Sequence, residues 1–277
     1  MLNDGSNVFI VNQKHSKCMN FVSRLKNLQV QSAATIAVES MKYLLSFSAR
    51  NGFGKKFDIE CRKLLAARPT AVVLHNAIER LGKNRTSEGL REIISDIESA
   101  KSLAAAKSSR IFRRSVVLTH CHSTFVIAAL VKNKANIKEV IVTETRPKYQ
   151  GIMTAKELIS NKIKVSYIID SAISDFIGKA DIVVVGADAL RREGLVNKVG
   201  THPLAMVAKE NRKPFYVITS SFTIDKRKRI VMEQRPVSEV MHKHLRGAKI
   251  CNPAFDVTPW KYITAVITEK GIKRSLR

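Results

Sequence analysis

The sequence predicts an α/β protein, a helical N-terminal domain followed by a doubly wound, parallel-sheet C-terminal domain. A change of texture along the chain predicts it. Up to about residue 106 apolar residues recur at helical spacing, and beyond Arg110 short apolar runs rich in β-branched residues alternate with helical stretches. Size and composition agree, because 277 residues that are 45% apolar can bury a full core as one large domain or two smaller ones.

The elements follow in order. From Leu25 to Leu45 the positions Leu28, Ala33, Ile36, Ala37, Met41, Leu44 and Leu45 fall at helical spacing. Arg68-Pro69-Thr70 breaks that pattern and starts another helix, since proline suits a first helical turn. Leu90 to Ala106 repeats the spacing through Ile93, Ile94, Ile97 and Leu103. The segment Lys107–Arg114 carries four basic residues and reads as a linker, which gives a helical domain over 1–106 and an α/β domain over 107–277. Strands are expected at Ser115–Leu118, Val140–Val142, Val165–Ile169, Asp181–Val185, Phe215–Ile218 and Ala265–Thr268. Helices are expected at Thr124–Lys132, Ile152–Ser160, Ser174–Lys179 and Pro203–Glu210. Runs that are apolar throughout suit strands buried on both faces. Their alternation with helices implies right-handed βαβ units and a Rossmann-like sheet.

Composition narrows the function. Lys plus Arg is 48 against 23 Asp plus Glu, a net charge of +25 that attracts polyanions such as RNA, DNA, acidic proteins or phosphorylated substrates. Aromatics are only 6%, with no interleaved aromatic and basic strip, so RNA contact is expected to be weak and salt-dependent. The densest basic run is Lys226-Arg227-Lys228-Arg229. Cys18, Cys61, Cys121 and Cys251 lie far apart without a C-x-x-C pair, which suits free thiols in a reducing compartment and neither zinc nor disulfides. No apolar run reaches the roughly 18 residues of a membrane span, and the start MLNDGSNVF lacks the pattern of a signal peptide. A cytosolic protein with no membrane contact is expected. Neither G-x-x-x-x-G-K-[ST] nor G-x-G-x-x-G occurs, so ATP hydrolysis and NAD chemistry are disfavoured and no cofactor is expected.

In open parallel sheets ligands bind outside the carboxyl ends of the strands. The segments after the predicted strands are Thr119–Ser123, Thr143–Lys148, Asp170–Ala172, Gly186–Asp188 with Asn197-Lys198 beyond, and Thr219–Ser221. Cys121 stands out. At a helix start its thiolate would be stabilised by the helix dipole, with Arg146 or Lys198 adding to that, and it could act as base or nucleophile. It could equally be a small buried apolar residue. His120 and His122 flank it, but sequence neighbours diverge in space, so metal binding is not expected. Asp188, after Val-Val-Val-Gly-Ala, could be a general acid–base or could cap the next helix. Arg68, Arg146 and Lys198 suit phosphate, and each also reads as ordinary surface charge.

The segments RPTAVVLHNAI (68–78), LTHCHS (118–123), TETRPKYQG (143–151), VVGADAL (184–190), VNKVGTHPLAMVAKENRKPFYV (196–217) and NPAFDVTPWKYITAVITEKGI (252–272) resemble one family in order and spacing. It is the family of the α/β/δ subunits of eukaryotic initiation factor 2B, their archaeal relatives and related aldose–ketose isomerases, ribose 1,5-bisphosphate isomerase among them. The resemblance covers 28–272. It implies the two-domain fold and a homodimer or dimer-based hexamer built through the C-terminal domain. It implies a catalytic cysteine and aspartate at positions occupied here by Cys121 and Asp188, and substrate binding at Arg68, Arg146, Asn197 and Lys198. At one place the chain departs from the isomerases. Their Arg-Gly-Ala phosphate loop corresponds to Gln31-Ser32-Ala33, so Gln31 replaces a charged ligand and Ser32 a glycine that lets backbone approach closely.

The resemblance therefore implies an isomerase of a phosphorylated pentose that shifts a proton through an enediol. The alternative it implies is a non-catalytic subunit that binds initiation factor 2 or a nucleotide. The Cys–Asp pair favours the enzyme. The altered loop and the +25 charge favour the binder.

Overall fold

The computed structural model describes residues 21–26, 32–227, 234–241 and 247–274. Cys18, Leu28, Gln31, Lys228 and Arg229 lie outside the described residues. The N-terminal part is helical: α1 (Phe21–Lys26), α2 (Ala33–Asn51), α3 (Lys55–Ala67), α4 (Val72–Leu81) and α5 (Ser87–Lys107). The apolar spacing that reads as one helix from Leu25 to Leu45 is divided between α1 and α2. Both halves still face one core, in which Leu25, Ile36, Met41, Leu44, Leu64, Leu74 and Leu90 are fully or almost fully buried.

Helix α5 starts at Thr86, whose hydroxyl accepts a hydrogen bond from the Gly89 amide at 3.0 Å, a side-chain N-cap. Its 21 residues run about 31 Å. Leu90, Ile93 and Ile97 on its first half join the helical core, while Ala100, Ala104 and Ala105 on its second half join the core beneath the sheet, against α6. The segment expected as a linker continues from α5 as a 3₁₀ turn, with Ser108 and Phe112 buried. Its charges face outward and its apolar side chain faces in, which composition alone could not show.

All six expected strands form. The sheet comprises β1 (Ser115–Thr119), β2 (Ile137–Thr143), β3 (Val165–Ile168), β4 (Ile182–Val185), β7 (Phe215–Ile218), β9 (Ala265–Thr268) and β10 (Gly271–Lys273). Their order is β10-β9-β7-β4-β1-β2-β3, and every pairing is parallel except the β9–β10 hairpin. Helices α6 (Thr124–Lys132), α7 (Gln150–Ser160), α8 (Ile173–Phe176) and α9 (Thr201–Glu210) occupy the expected connections. From β1 the chain proceeds outward to β2 and β3, then returns to place β4 on the other side of β1. Connections therefore diverge between β1 and β4, which opens a crevice at their carboxyl ends.

A second, antiparallel sheet was not anticipated. It joins β5 (Ala189–Leu190), β6 (Leu195–Lys198) and β8 (Phe255–Thr258) in the order β5-β6-β8. The segment Phe255–Trp260 packs partly within the chain. Phe255 and Val257 pack on Val72, Ala189 and Val196, and the Trp260 indole donates to the Arg191 carbonyl at 2.9 Å.

Beside this sheet Arg191, only 4% exposed, is ion-paired with the buried Asp225, and its other nitrogen donates to the Arg227 carbonyl at 2.6 Å. Arg227 also donates to Asp225, from Nε at 2.8 Å, and to the Pro69 carbonyl at 2.9 Å. Within the densest basic run, Arg227 is thus a structural cation that ties this region to the segment before α4. Asp225, two residues upstream in the same loop, holds it there.

Candidate active site

The carboxyl end of β1 leads through His120 to Cys121, which has a φ of +70°. The Cys121 amide donates to Thr145 Oγ1 at 2.8 Å, and its carbonyl accepts from Thr154 Oγ1 at 2.9 Å. The peptide is therefore fixed from both sides in a backbone region that L residues avoid. Ser123 caps α6 two residues later. The neighbouring strand, β4, is followed by Gly186-Ala187-Asp188. A Cβ on Gly186 would collide with the Ser123 side chain, so glycine is what allows these two strand ends to approach. The Asp188 amide donates to the Val196 carbonyl at 3.0 Å, and β5 follows directly. No helix begins there, so Asp188 does not act as a helix cap.

Cys121 and Asp188 line one cavity of about 440 Å³, together with Ser32, Arg68, Asn197 and Lys198. Asn197 and Lys198 come from β6, where the Asn197 amide donates to Thr201 Oγ1 at 3.0 Å and the Lys198 ammonium stands 5.6 Å from the Phe255 ring centre. Arg68 and Ser32 come from the helical part. The sequence-predicted site is thus brought together from both halves of the chain, with two exceptions. Gln31 lies outside the described residues. Arg146 does not line the cavity. Asp170 accepts from the Thr145 and Arg146 amides at 2.9 and 2.7 Å, and the guanidinium reaches Tyr149 Oη and the Val240 carbonyl. Three charged wall residues were not among the candidates the sequence singled out: Lys148, Arg235 and Glu239. Glu239 accepts from Arg235 at 2.6 Å and lies 3.7 Å from the Lys148 ammonium. Lys148 sits within a motif already singled out. Arg235 and Glu239 have no apolar periodicity around them that would place them.

The electrostatics of Cys121 differ from the expectation. Burial pushes its thiol up to about 11, Lys198 opposes that, and Asp188 and Asp170 add to it. Desolvation outweighs the cation and the His122 amide, so the thiol is neutral. His120 is buried. Its Nε2 donates to the Val199 carbonyl at 2.9 Å, which leaves Nδ1 to accept from Thr143 Oγ1 at 2.7 Å. Burial lowers its pKa, so a neutral ring clips the end of β1 to its neighbours. His122 lies 3.2 Å from Thr154 Oγ1, and burial lowers its pKa also. Asp256 holds the start of α9 by accepting from the Gly200 and His202 amides at 2.8 and 3.0 Å, while burial raises its pKa. Among the described residues no group of three or more His, Cys, Asp or Glu side chains surrounds a metal position. No described helix is long and apolar enough to cross a membrane.

Ser32 has a φ of +70°, so the serine stands in a conformation that suits the family's glycine. Ser32→Gly is expected to stabilise the protein by about 1 kcal/mol, as relief of strain outweighs the added freedom of the unfolded chain. Urea unfolding of the two proteins checks this, and a lower midpoint for the glycine variant would contradict it.

Comparison with known proteins places these residues in context. The profile of the Initiation factor 2 subunit family matches residues 29–275. Ribose 1,5-bisphosphate isomerase of Archaeoglobus fulgidus is 38% identical over 272 residues, covering 90% of this chain and 87% of that protein. Methylthioribose-1-phosphate isomerase of Acetivibrio thermocellus is 34% identical over 308 residues, covering 94% and 90%. The crystal structure of translation initiation factor eIF-2B from Pyrococcus horikoshii superposes with a TM-score of 0.79 at 26% identity, covering 92% of this chain and 96% of that one.

Proposed function

The chain belongs to the initiation factor 2 subunit family, and from that premise we propose that it is a sugar-phosphate isomerase, an aldose–ketose isomerase of a phosphorylated pentose resembling ribose 1,5-bisphosphate isomerase. One observation carries the reading. Cys121 and Asp188 follow two adjacent strands at the point where the connections diverge, and both line a cavity that also holds Arg68 and Lys198. Two proton-transfer groups beside two phosphate-binding cations suit a ligand with an exchangeable carbon-bound proton and an anionic group.

For a sugar blocked by phosphate at C1, isomerisation breaks the C1–O4 ring bond and the C2–H bond, and forms a C1–H bond and a C2 carbonyl. One proton moves from C2 to C1, and one moves from O2 to O4. In our reading Cys121 carries the first proton and Asp188 the second, while Arg68, Asn197 and Lys198 hold the anionic end. With the thiol at about 11, the thiolate fraction grows with pH. If thiolate takes the C2 proton, kcat/KM rises about tenfold per pH unit between roughly pH 7 and 10. The decisive test is incubation with ribose 1,5-bisphosphate and methylthioribose 1-phosphate, followed by NMR. Ketose formation with that pH dependence is expected, and no ketose from any sugar phosphate would overturn the reading.

A second reading, a non-catalytic subunit that holds a nucleotide or initiation factor 2, is favoured by Gln31-Ser32 in place of Arg-Gly and by the protonated Cys121 thiol. It expects ligand binding without turnover. In either reading we place a homodimer or a dimer-based hexamer, supported by the exposed apolar residues Ile152, Met153, Tyr167 and Ile169 around α7 and the edge strand β3.

A further inference from the structure

A parallel sheet gathers all the turns that precede its strands on one edge, opposite the cavity. In this chain nearly every such turn is basic. Arg110, Arg113 and Arg114 precede β1. Lys134 lies just before β2 and Lys138 within its first residues. Lys162 and Lys164 precede β3, and Lys179 precedes β4. Lys209, Arg212 and Lys213 precede β7. All except the half-buried Lys213 are exposed. Within this set the one ion pair among the described residues is Lys164 with Glu139, at 2.8 Å. Of the carboxylates there, Glu139 is engaged by Lys164 and Ser166, and Asp181 by the Val116 amide at 2.7 Å. The exposed Asp175 and Glu210 are heavily outnumbered.

Backbone geometry adds an independent observation. Arg114, Lys162 and Arg212 have φ values of +51°, +60° and +56°. Lys162 and Arg212 end α7 and α9 in the same way, with the next amide bonding back into the helix, from Ile163 to the Leu158 carbonyl at 3.0 Å and from Lys213 to the Ala208 carbonyl at 2.8 Å. Glycine usually fills that position, and a side chain there is strained. The helix dipole favours a cation near each helix end, but it does not account for Arg113, Lys138 or Lys164, which end no helix.

We propose that this edge is a docking surface for the phosphate backbone of double-stranded RNA. Five adjacent parallel strands about 4.8 Å apart give a row of cations about 19 Å long. Their side chains can meet phosphates in series, and no exposed aromatic ring among them offers a stacking surface, so contact is to backbone and not to base. The edge consists of short turns. Among the described residues no helix or ribbon projects from it to enter the major groove of B-form DNA, whereas shape and phosphate contact across a shallow minor groove is how A-form RNA is held. The surface lies at the opposite end of the strands from Cys121 and Asp188, so it can be occupied while the cavity works.

The test is a quadruple variant, Arg113→Gln, Lys134→Gln, Lys138→Gln and Lys209→Gln, titrated with an RNA duplex of about 20 base pairs. At about 50 mM salt we expect affinity to fall at least tenfold, and the slope of log K against log salt to shrink by about three to four. The control removes the same charge from the helical part, by Lys55→Gln, Lys56→Gln, Arg62→Gln and Lys83→Gln, and should lose less than threefold. Equal loss in both variants would mean attraction by net charge alone and would overturn the proposal. So would undetectable binding of the duplex by the wild type, equal affinity for a DNA duplex of the same sequence, or displacement of RNA by an acidic polypeptide at equal charge concentration.

Discussion

Cys121→Ser should lower kcat by at least about three orders of magnitude while sugar-phosphate affinity stays within about threefold, because the hydroxyl keeps the volume but its pKa is too high to carry a proton to and from carbon. Asp188→Asn should act alike, since the amide keeps the shape and loses the titrating proton. Single-turnover kinetics with a separate binding titration check both. The double variant should be little worse than either single one, as expected of groups that act as a unit. Turnover that survives serine at position 121 would remove the cysteine from the chemistry, and loss of binding in step with turnover would give it a structural role. The site favours a clean outcome, because the Cys121 amide and carbonyl, and not its sulfur, hold the peptide in place.

The largest effect on stability is expected away from the cavity, at Asp225. Its carboxylate receives Arg191 and Arg227, and the Arg191 side chain is 3% exposed. Asp225→Ala leaves the buried Arg191 guanidinium without its buried counter-charge, with only the half-exposed Glu193 at 3.4 Å to pair with it, and should destabilise the protein by about 3 kcal/mol. For a chain of this size that lowers Tm by roughly 10 °C, which calorimetry would register. An Asp225→Ala protein that melts within about 2 °C of wild type would show that the pair contributes little. Asp225 carries a lowered pKa: its arginine partners outweigh burial, which by itself would raise it. The stability it provides is therefore present above the usual carboxylate range and is lost as the pH falls through its depressed native value.

Much of this architecture was legible because burial on both faces forces a strand to be apolar throughout. Val183, Val184 and Val185 can hardly be read otherwise, and they place Asp188. The small sheet was not legible. Ala189–Leu190 and Leu195–Lys198 are too short for periodicity to register, and their pairing with Phe255–Thr258 depends on distant sequence. The positions of Cys121, Asp188, Asn197 and Lys198 in one cavity followed from the rule that ligands gather at strand ends, together with the family resemblance. Their ionisation did not follow. The shift at Cys121 depends on how much of the thiol is desolvated, which sequence does not record, and here burial outweighs Lys198. Arg146 shows the same limit, since a side chain in a strand-end loop can face the cavity or turn from it, and here Tyr149 and the distant Val240 carbonyl hold the guanidinium away.

Helix α5 has a consequence for how the chain may be divided. Ile93 and Ile97 belong to one interior, and Ala100 and Ala104 to the other, with no break between them. Neither half therefore owns its hydrophobic interior. A cut at 106 would strip one fragment of its longest packing partner or leave the other displaying an apolar stripe to water. The two halves share one rod as a packing element, and Ile97 of that rod also lines the cavity between them.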